Sequence, residues 1–303
     1  MTDTAKTSTG APQNDLILDI RDLTVHYVLE DDCVEAVNDI SLQLKKGRIL
    51  GLVGETGAGK TSTALAIQNL IPSPPGVIKS GSIMLNGRDV LKMSEKELEA
   101  IRGKDVSMIF QDPMTSLNPV FTVGEQIAES IRLHENCSDR EALERAGDML
   151  ELVRIPRERA VEYPHQFSGG MKQRVAIAIA LACNPHLLLA DEPTTALDVT
   201  VQAQVLSLLR RLQKQHGTSV LLISHDLSVV AQMADRIAVM YSGKIVEQAP
   251  AKDLLHSPLH HHEIHIPVRP EHRHPARNGA RAESDRRGRF ISVPYCFQSF
   301  IAK

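Results

Sequence analysis

The sequence predicts an α/β fold: a mostly parallel core sheet covered by helices on both faces, with an N-terminal antiparallel β subdomain and an inserted helical subdomain. Three observations carry this. Short apolar runs alternate with helical segments, the pattern of strands and crossover helices around a parallel sheet. The segment GETGAGKT, residues 54–61, joins one such run to a helix and fits G-x-x-x-x-G-K-[ST]. From residue 122 to about 163 the apolar spacing is helical, which interrupts the alternation.

Taken in order, residues 1–15 are polar and read as a disordered lead-in without a signal-peptide core. LILDIRDLTVHYV and VEAVNDISLQL, rich in Val, Ile and Leu, read as two strands joined by the acidic turn LEDDC. RILGLV, residues 48–53, is a buried strand, and TSTALAIQNL, residues 61–70, a helix ended by the prolines of IPSPPG. SGSIMLNG is another strand. Ser94 and Glu97 form a capping box for a short helix, and VSMIF leads as a buried strand to Gln111. In the helical insert, about residues 122–165, Ser138 and Glu141 make a second capping box. Leu143, Ala146, Leu150 and Val153 then line one face. SGGMKQRVAIAIALAC is a long helix, HLLLAD a buried strand, TVQAQVLSLLRRLQKQ a helix and TSVLLISHD a strand. RIAVMYSG and KIVEQA form a terminal hairpin.

Composition narrows the function. The 303 residues are 42% hydrophobic and 23% charged, enough for a sizeable core and, on length, about two domains. A net charge of −3, 3% aromatics and no Trp argue against a nucleic-acid partner. The longest helical apolar run, VAIAIALAC, falls short of the roughly 20 residues a bilayer span takes. Any membrane link is therefore expected to go through a partner, with the chain itself in the cytosol. Cys33, Cys137, Cys183 and Cys296 show no metal-ligand spacing and read as single reduced thiols.

The chemistry starts at the glycine-rich loop. Gly54, Glu55, Thr56, Gly57, Ala58 and Gly59 present backbone N–H groups that can surround phosphates, with Ser62 just inside the helix whose N-terminus faces them. Lys60 can reach the β- and γ-phosphates, and the Thr61 hydroxyl can ligate Mg²⁺. Phosphoryl transfer also needs a metal anchor and a group that orients water. HLLLADE supplies both: Asp191 at the end of an apolar strand for Mg²⁺, and Glu192 as general base.

With these, FSGGMKQR (residues 167–174), LLLADEPT, TALD, Gln111 in IFQDP and His225 in LLISHD make the chain resemble the nucleotide-binding subunit of an ABC transporter over residues 16–258. The resemblance implies a P-loop NTPase fold of the ABC cassette type that binds ATP and Mg²⁺. It implies that Gln111 contacts Mg²⁺ and signals to a membrane domain, and that His225 contacts the γ-phosphate. It implies, too, that Tyr27 stacks on adenine and that Asp198 contacts an opposite subunit. Ser168, Gly169 and Gly170 open a helix, and the resemblance implies that, head to tail, they cap the γ-phosphate held by that subunit.

QDPMTSLNPVFTVGEQI, EYPHQFSGGMKQRVAIAIALACNP and ADEPTTALDVTVQAQVL resemble the dipeptide/oligopeptide importer branch, which also contains nickel and glutathione importers. That implies two integral membrane permease subunits, a second ATPase subunit in a hetero- or homodimer, and an extracytoplasmic substrate-binding protein. It also implies a peripheral position on the cytoplasmic face of the inner membrane. A nickel or glutathione importer ATPase, or a soluble ABC ATPase outside transport, is the alternative. From His260 the branch pattern is lost. A tract with His260, His261, His262, His265, His272 and His274 and seven arginines against four acids is expected to be a disordered tail, able to bind metal adventitiously. A frameshift or truncated reading frame would produce such a break. Ala249 stands where the branch usually has glycine, a minor departure.

Overall fold

The structure is a computed structural model that describes residues 15–256 apart from residue 31, residues 113–115 and residue 196. The expectations for the lead-in up to residue 14, for Cys296 and for the tail from residue 259 lie outside the described residues.

The described residues form two sheets. In the N-terminal sheet β1 (Leu16–Val28) lies between β2 (Cys33–Lys45) and β4 (Gly76–Leu85), antiparallel to both, with the short β5 (Arg88–Asp89) at the edge. The core sheet has the order β10-β9-β3-β8-β7-β6. Its strands β3 (Ile49–Val53), β6 (Val106–Ile109), β7 (Leu187–Asp191), β8 (Ser219–Ser224) and β9 (Arg236–Tyr241) pair in parallel. Only β10 (Lys244–Pro250) runs antiparallel, as the hairpin partner of β9.

The continuous apolar runs of β3, β7 and β8 are explained by cover on both faces. Leu187 and Leu189 face the N-terminal sheet together with Leu50, Leu52, Leu221 and Ile223. Leu188 and Ala190 face the helices with Val220 and Leu222. This is the period-two alternation of a strand whose two sides are both dry. A fully buried leucine contributes about 1.5–3 kcal/mol, so these runs anchor the sheet.

The helices are α1 (Lys60–Ile67), α2 (Glu95–Ile101), α3 (Val123–His134), α4 (Asp139–Leu152), α5 (Gly169–Leu181), α6 (Val199–His216), α7 (Leu227–Met233) and α8 (Ala251–His256). The capping box at Ser94 forms, with Ser94 N donating to Glu97 at 2.8 Å. At α4 only half of the expected box appears: Ser138 Oγ accepts from Glu141 N at 3.3 Å.

Three further expectations need correction. The buried stripe of α4 is Ala142, Ala146 and Leu150, continued by Val153, while Leu143 is exposed. Positions four apart share a helix face, and Leu143 is turned about 100° from Ala142. The first helix stops at Ile67 rather than Leu70, because Asn69 takes φ +51° before the prolines. The strand written as SGSIMLNG begins earlier, at Gly76. The sequence reading also passed over α7 and α8. Both are under two turns long, too short for a helical period to be visible.

Candidate active site

The parallel strands deliver their C-terminal ends to one edge of the core sheet. Residues 54–61 follow β3, Gln111 follows β6, Glu192 follows β7 and His225 follows β8. Topology therefore gathers groups as far apart in the sequence as Lys60 and His225. This is the edge at which open α/β sheets bind ligands.

Within the loop, Gly59 caps α1 at φ +100°. A Cβ there would lie 2.0 Å from the Ala36 carbonyl oxygen, so both backbone shape and space require glycine. Lys60 is buried, and its ammonium donates to the carbonyls of Gly54 at 2.8 Å and Glu55 at 2.7 Å. Burial pushes its pKa down, against the pull of Glu192, Asp191 and Glu55. The Thr61 hydroxyl donates to Asp191 Oδ2 at 2.8 Å. Burial raises the Asp191 carboxyl, partly opposed by that hydrogen bond. Tyr27 sits beside the loop on an interior strand, its hydroxyl 3.2 Å from Ser62 Oγ, and is not at a sheet edge.

Glu192 is the hub. Its Oε2 accepts from Gln111 Nε2 at 2.9 Å and from the Thr195 hydroxyl at 2.9 Å, and its Oε1 lies 3.0 Å from His225 Nδ1. Burial works to raise its pKa, but the bonds from His225 and Thr195 outweigh this and hold it below the usual glutamate range. Its backbone has φ +45°, a left-handed conformation uncommon outside glycine. Glu192 N donates to the Ile223 carbonyl at 2.9 Å, which helps hold that strained turn in place. Thr195 was missed by the sequence reading. The signal was available: a hydroxyl three residues after the acid in the same turn, EPTT.

The structure thus brings Lys60, Thr61, Gln111, Asp191, Glu192 and His225 to one edge of the core sheet: Thr61 on Asp191, Gln111 and His225 on Glu192, and Lys60 on its own loop, near enough to both acids to feel their charge. Ser168, Gly169 and Gly170 join none of these hydrogen bonds. Ser168 caps α5 without a side-chain bond, Gly169 faces open space, and a Cβ on Gly170 would lie 2.5 Å from Val201 Cγ1. Asp198 caps α6, accepting from Thr200 N at 3.1 Å and Val201 N at 3.0 Å. The oxygen donors of Thr61, Asp191 and Gln111 suit a hard cation such as Mg²⁺, which keeps several waters and phosphate oxygens. No group of three or more His, Cys, Asp or Glu able to hold a metal by themselves occurs among the described residues.

The chain's relatives point the same way. The family model described as "ABC transporter" matches residues 37–195. The "Probable peptide ABC transporter ATP-binding protein y4tR" of Sinorhizobium fredii is 51% identical over 251 residues, 82% of this chain and 75% of that protein. The "Glutathione import ATP-binding protein GsiA" of Salmonella typhimurium is 50% identical over 251 residues, 80% of this chain but 40% of that protein. Among solved structures, a dimeric post-hydrolysis state of an ATP-binding cassette bound to ADP and Pi superimposes with a TM-score of 0.70 at 27% identity. It covers 77% of this chain and 98% of that one.

Proposed function

This chain belongs to the ABC transporter family as one of its ATPase cassettes, and from that premise we propose that it energises the uptake of short peptides. The observation that carries the catalytic part is the convergence at one sheet edge of Thr61 on Asp191 and of Gln111 and His225 on Glu192. The cassette is taken to span residues 16–258.

Glu192 is ionised but occupied by Gln111, Thr195 and His225, and Lys60 by the carbonyls of its own loop. Lys60 would exchange those carbonyls for phosphate oxygens, which its charge prefers. Thr61, Asp191 and Gln111 would hold Mg²⁺, which neutralises phosphate charge when bound. Gln111 would then vacate one acceptor position on Oε2, beside the bond from Thr195, for the proton of the attacking water. With His225 Nδ1 directed at Glu192, Nε2 is the nitrogen available to the γ-phosphate. Tyr27 would stack on adenine. Ser168, Gly169, Gly170 and Asp198 would complete the site of a second ATPase subunit.

A docking surface for membrane subunits fits the residues beyond Gln111. Val123 N donates to the Glu162 carbonyl at 2.9 Å, and exposed Phe121 and Val161 flank that joint. Exposed apolar groups of this kind suit a partner. No helix among the described residues is long and apolar enough to cross a membrane, so contact through permeases at the cytoplasmic face fits the chain.

Peptide cargo is supported by the name of the relative at 51% identity, and glutathione, itself a small peptide, by that of the relative at 50%. The test is uptake in cells lacking this chain, complemented with it or with Lys60→Ala. Labelled di- and oligopeptide uptake is expected to depend on the intact chain. Loss confined to glutathione or nickel uptake would overturn the peptide assignment.

A further inference from the structure

Arg159 lies in the short turn Arg157–Val161, in the last part of the helical insert and before Ser168, and takes no part in the hydrogen bonds around Glu192. Its guanidinium nevertheless gathers the residues on both sides of Ser168. It lies over the Phe167 ring, 4.3 Å from the centroid. Its Nη2 donates to the Gln166 carbonyl at 3.2 Å, and its Nη1 lies 3.4 Å from Met171 Sδ. Its Nε and Nη2 both donate to Glu162 Oε2, at 2.9 and 2.6 Å.

An ion pair three residues apart on a surface would by itself do little. Here the same cation also covers an aromatic ring that is buried in the core, and such stacked guanidiniums are held in one orientation. The turn that carries Arg159 is itself fixed. Val123 N donates to the Glu162 carbonyl, and a Cβ on Gly124 would lie 2.8 Å from Ala160 Cβ, so α3 and this turn are in close contact. Gln126 ties residues 118–121 to α3, accepting from Asn118 N at 2.9 Å and donating to the carbonyls of Asn118 at 2.9 Å and Phe121 at 3.0 Å. Arg159 is therefore the clasp between a rigid joint and a segment, residues 166–171, that has no capping bond of its own at Ser168.

We infer that Arg159 is a positioning residue: it sets the orientation of Ser168, Gly169 and Gly170 toward the nucleotide held by the second ATPase subunit. This rests on the head-to-tail reading above. The role needs the cation, the planar fork and the ring together, so Arg159→Met should abolish it while keeping an apolar stem on Phe167. Arg159→Lys, which keeps charge but not the fork, should recover part of it.

Two measurements test this. In the isolated full chain, amide hydrogen exchange of Arg159→Met should quicken at residues 166–172, with ATP affinity and melting temperature unchanged. Unchanged exchange there, or a general loosening with a lowered melting temperature, would overturn the inference. The second uses mixed pairs of differently tagged copies, referred to a pair with Glu192→Gln in one copy. Placing Arg159→Met on that same copy leaves the working base opposite the altered segment, so hydrolysis should fall about 10- to 100-fold. Placing Arg159→Met on the other copy should leave hydrolysis at the reference rate. Equal losses in both arrangements, or none in either, would overturn the role of Arg159 and leave the head-to-tail reading standing. Loss in the second arrangement alone would overturn both.

Discussion

Two glycine-bearing helix starts in this molecule are built to opposite specifications. At residues 54–61 the chemistry is satisfied from within. Lys60 rests on Gly54 and Glu55, Thr61 on Asp191, and the groups of neighbouring strands close on Glu192. At residues 168–170 the backbone is held firmly, by Arg159 on one side and Val201 on the other, yet the helix start faces outward with Gly169 in open space. Buried polar groups are costly without partners, so the first region needs its network even with no nucleotide present. The second sits where partners can come from another chain. One region carries its own partners; the other, in the proposed function, would complete a site elsewhere.

The largest expected effect on nucleotide binding comes from breaking the first region. Lys60→Ala removes the cation meant for phosphate oxygens, and ATP affinity should fall by about 100-fold, measured by nucleotide titration, on the scale of two charge-assisted hydrogen bonds. The fold should survive, since Lys60 bonds only loop carbonyls.

Gly170→Val sharpens the contrast from the other side. The new side chain meets Val201 and shifts the helix start, at a cost of about 1–3 kcal/mol for overpacking. Hydrolysis should fall by at least about tenfold while ATP affinity of the single chain stays unchanged. A matching loss of affinity would mean the two regions are not separate.

Tyr27→Ala should weaken ATP binding by about tenfold, the scale of one base–aromatic stack. GTP and ATP should be affected alike, because stacking is tolerant of the base.

The smallest effect lies outside both regions. Arg145 and Glu135 form a partly exposed ion pair joining α4 to the end of α3, and the hydrogen bond from Arg145 holds the Glu135 carboxyl below the usual glutamate range. A depressed carboxylate stabilises the fold above its unfolded pKa, and that stability is lost as pH falls through its folded value. Arg145→Met should therefore cost under about 1 kcal/mol at neutral pH, and the difference should vanish in acid.

Much of the site was legible in the sequence because its parts sit at ends of apolar runs. Asp191 and Glu192 close β7, Gln111 follows β6 and His225 follows β8, and parallel pairing places such ends together. What the sequence could not convey was how the groups pair with one another. That Gln111 and His225 share one carboxylate, and that Thr195 joins them, depends on side-chain directions at the sheet edge. The left-handed φ of Glu192 was equally hidden, since nothing in ADEPT marks a residue held in a glycine-like conformation. Leu143 failed for a different reason. A helix with Ala142, Ala146 and Leu150 in the core has a second apolar stripe beside it, and only packing decides which one is buried.

The central claim is that Glu192 is the base of a site otherwise able to hold nucleotide, and Glu192→Gln tests it most directly. The substitution keeps the shape and removes the charge that accepts a proton. ATP should bind with unchanged affinity, while hydrolysis by the purified chain falls by about 10²- to 10⁴-fold. Hydrolysis at the original rate would contradict the claim.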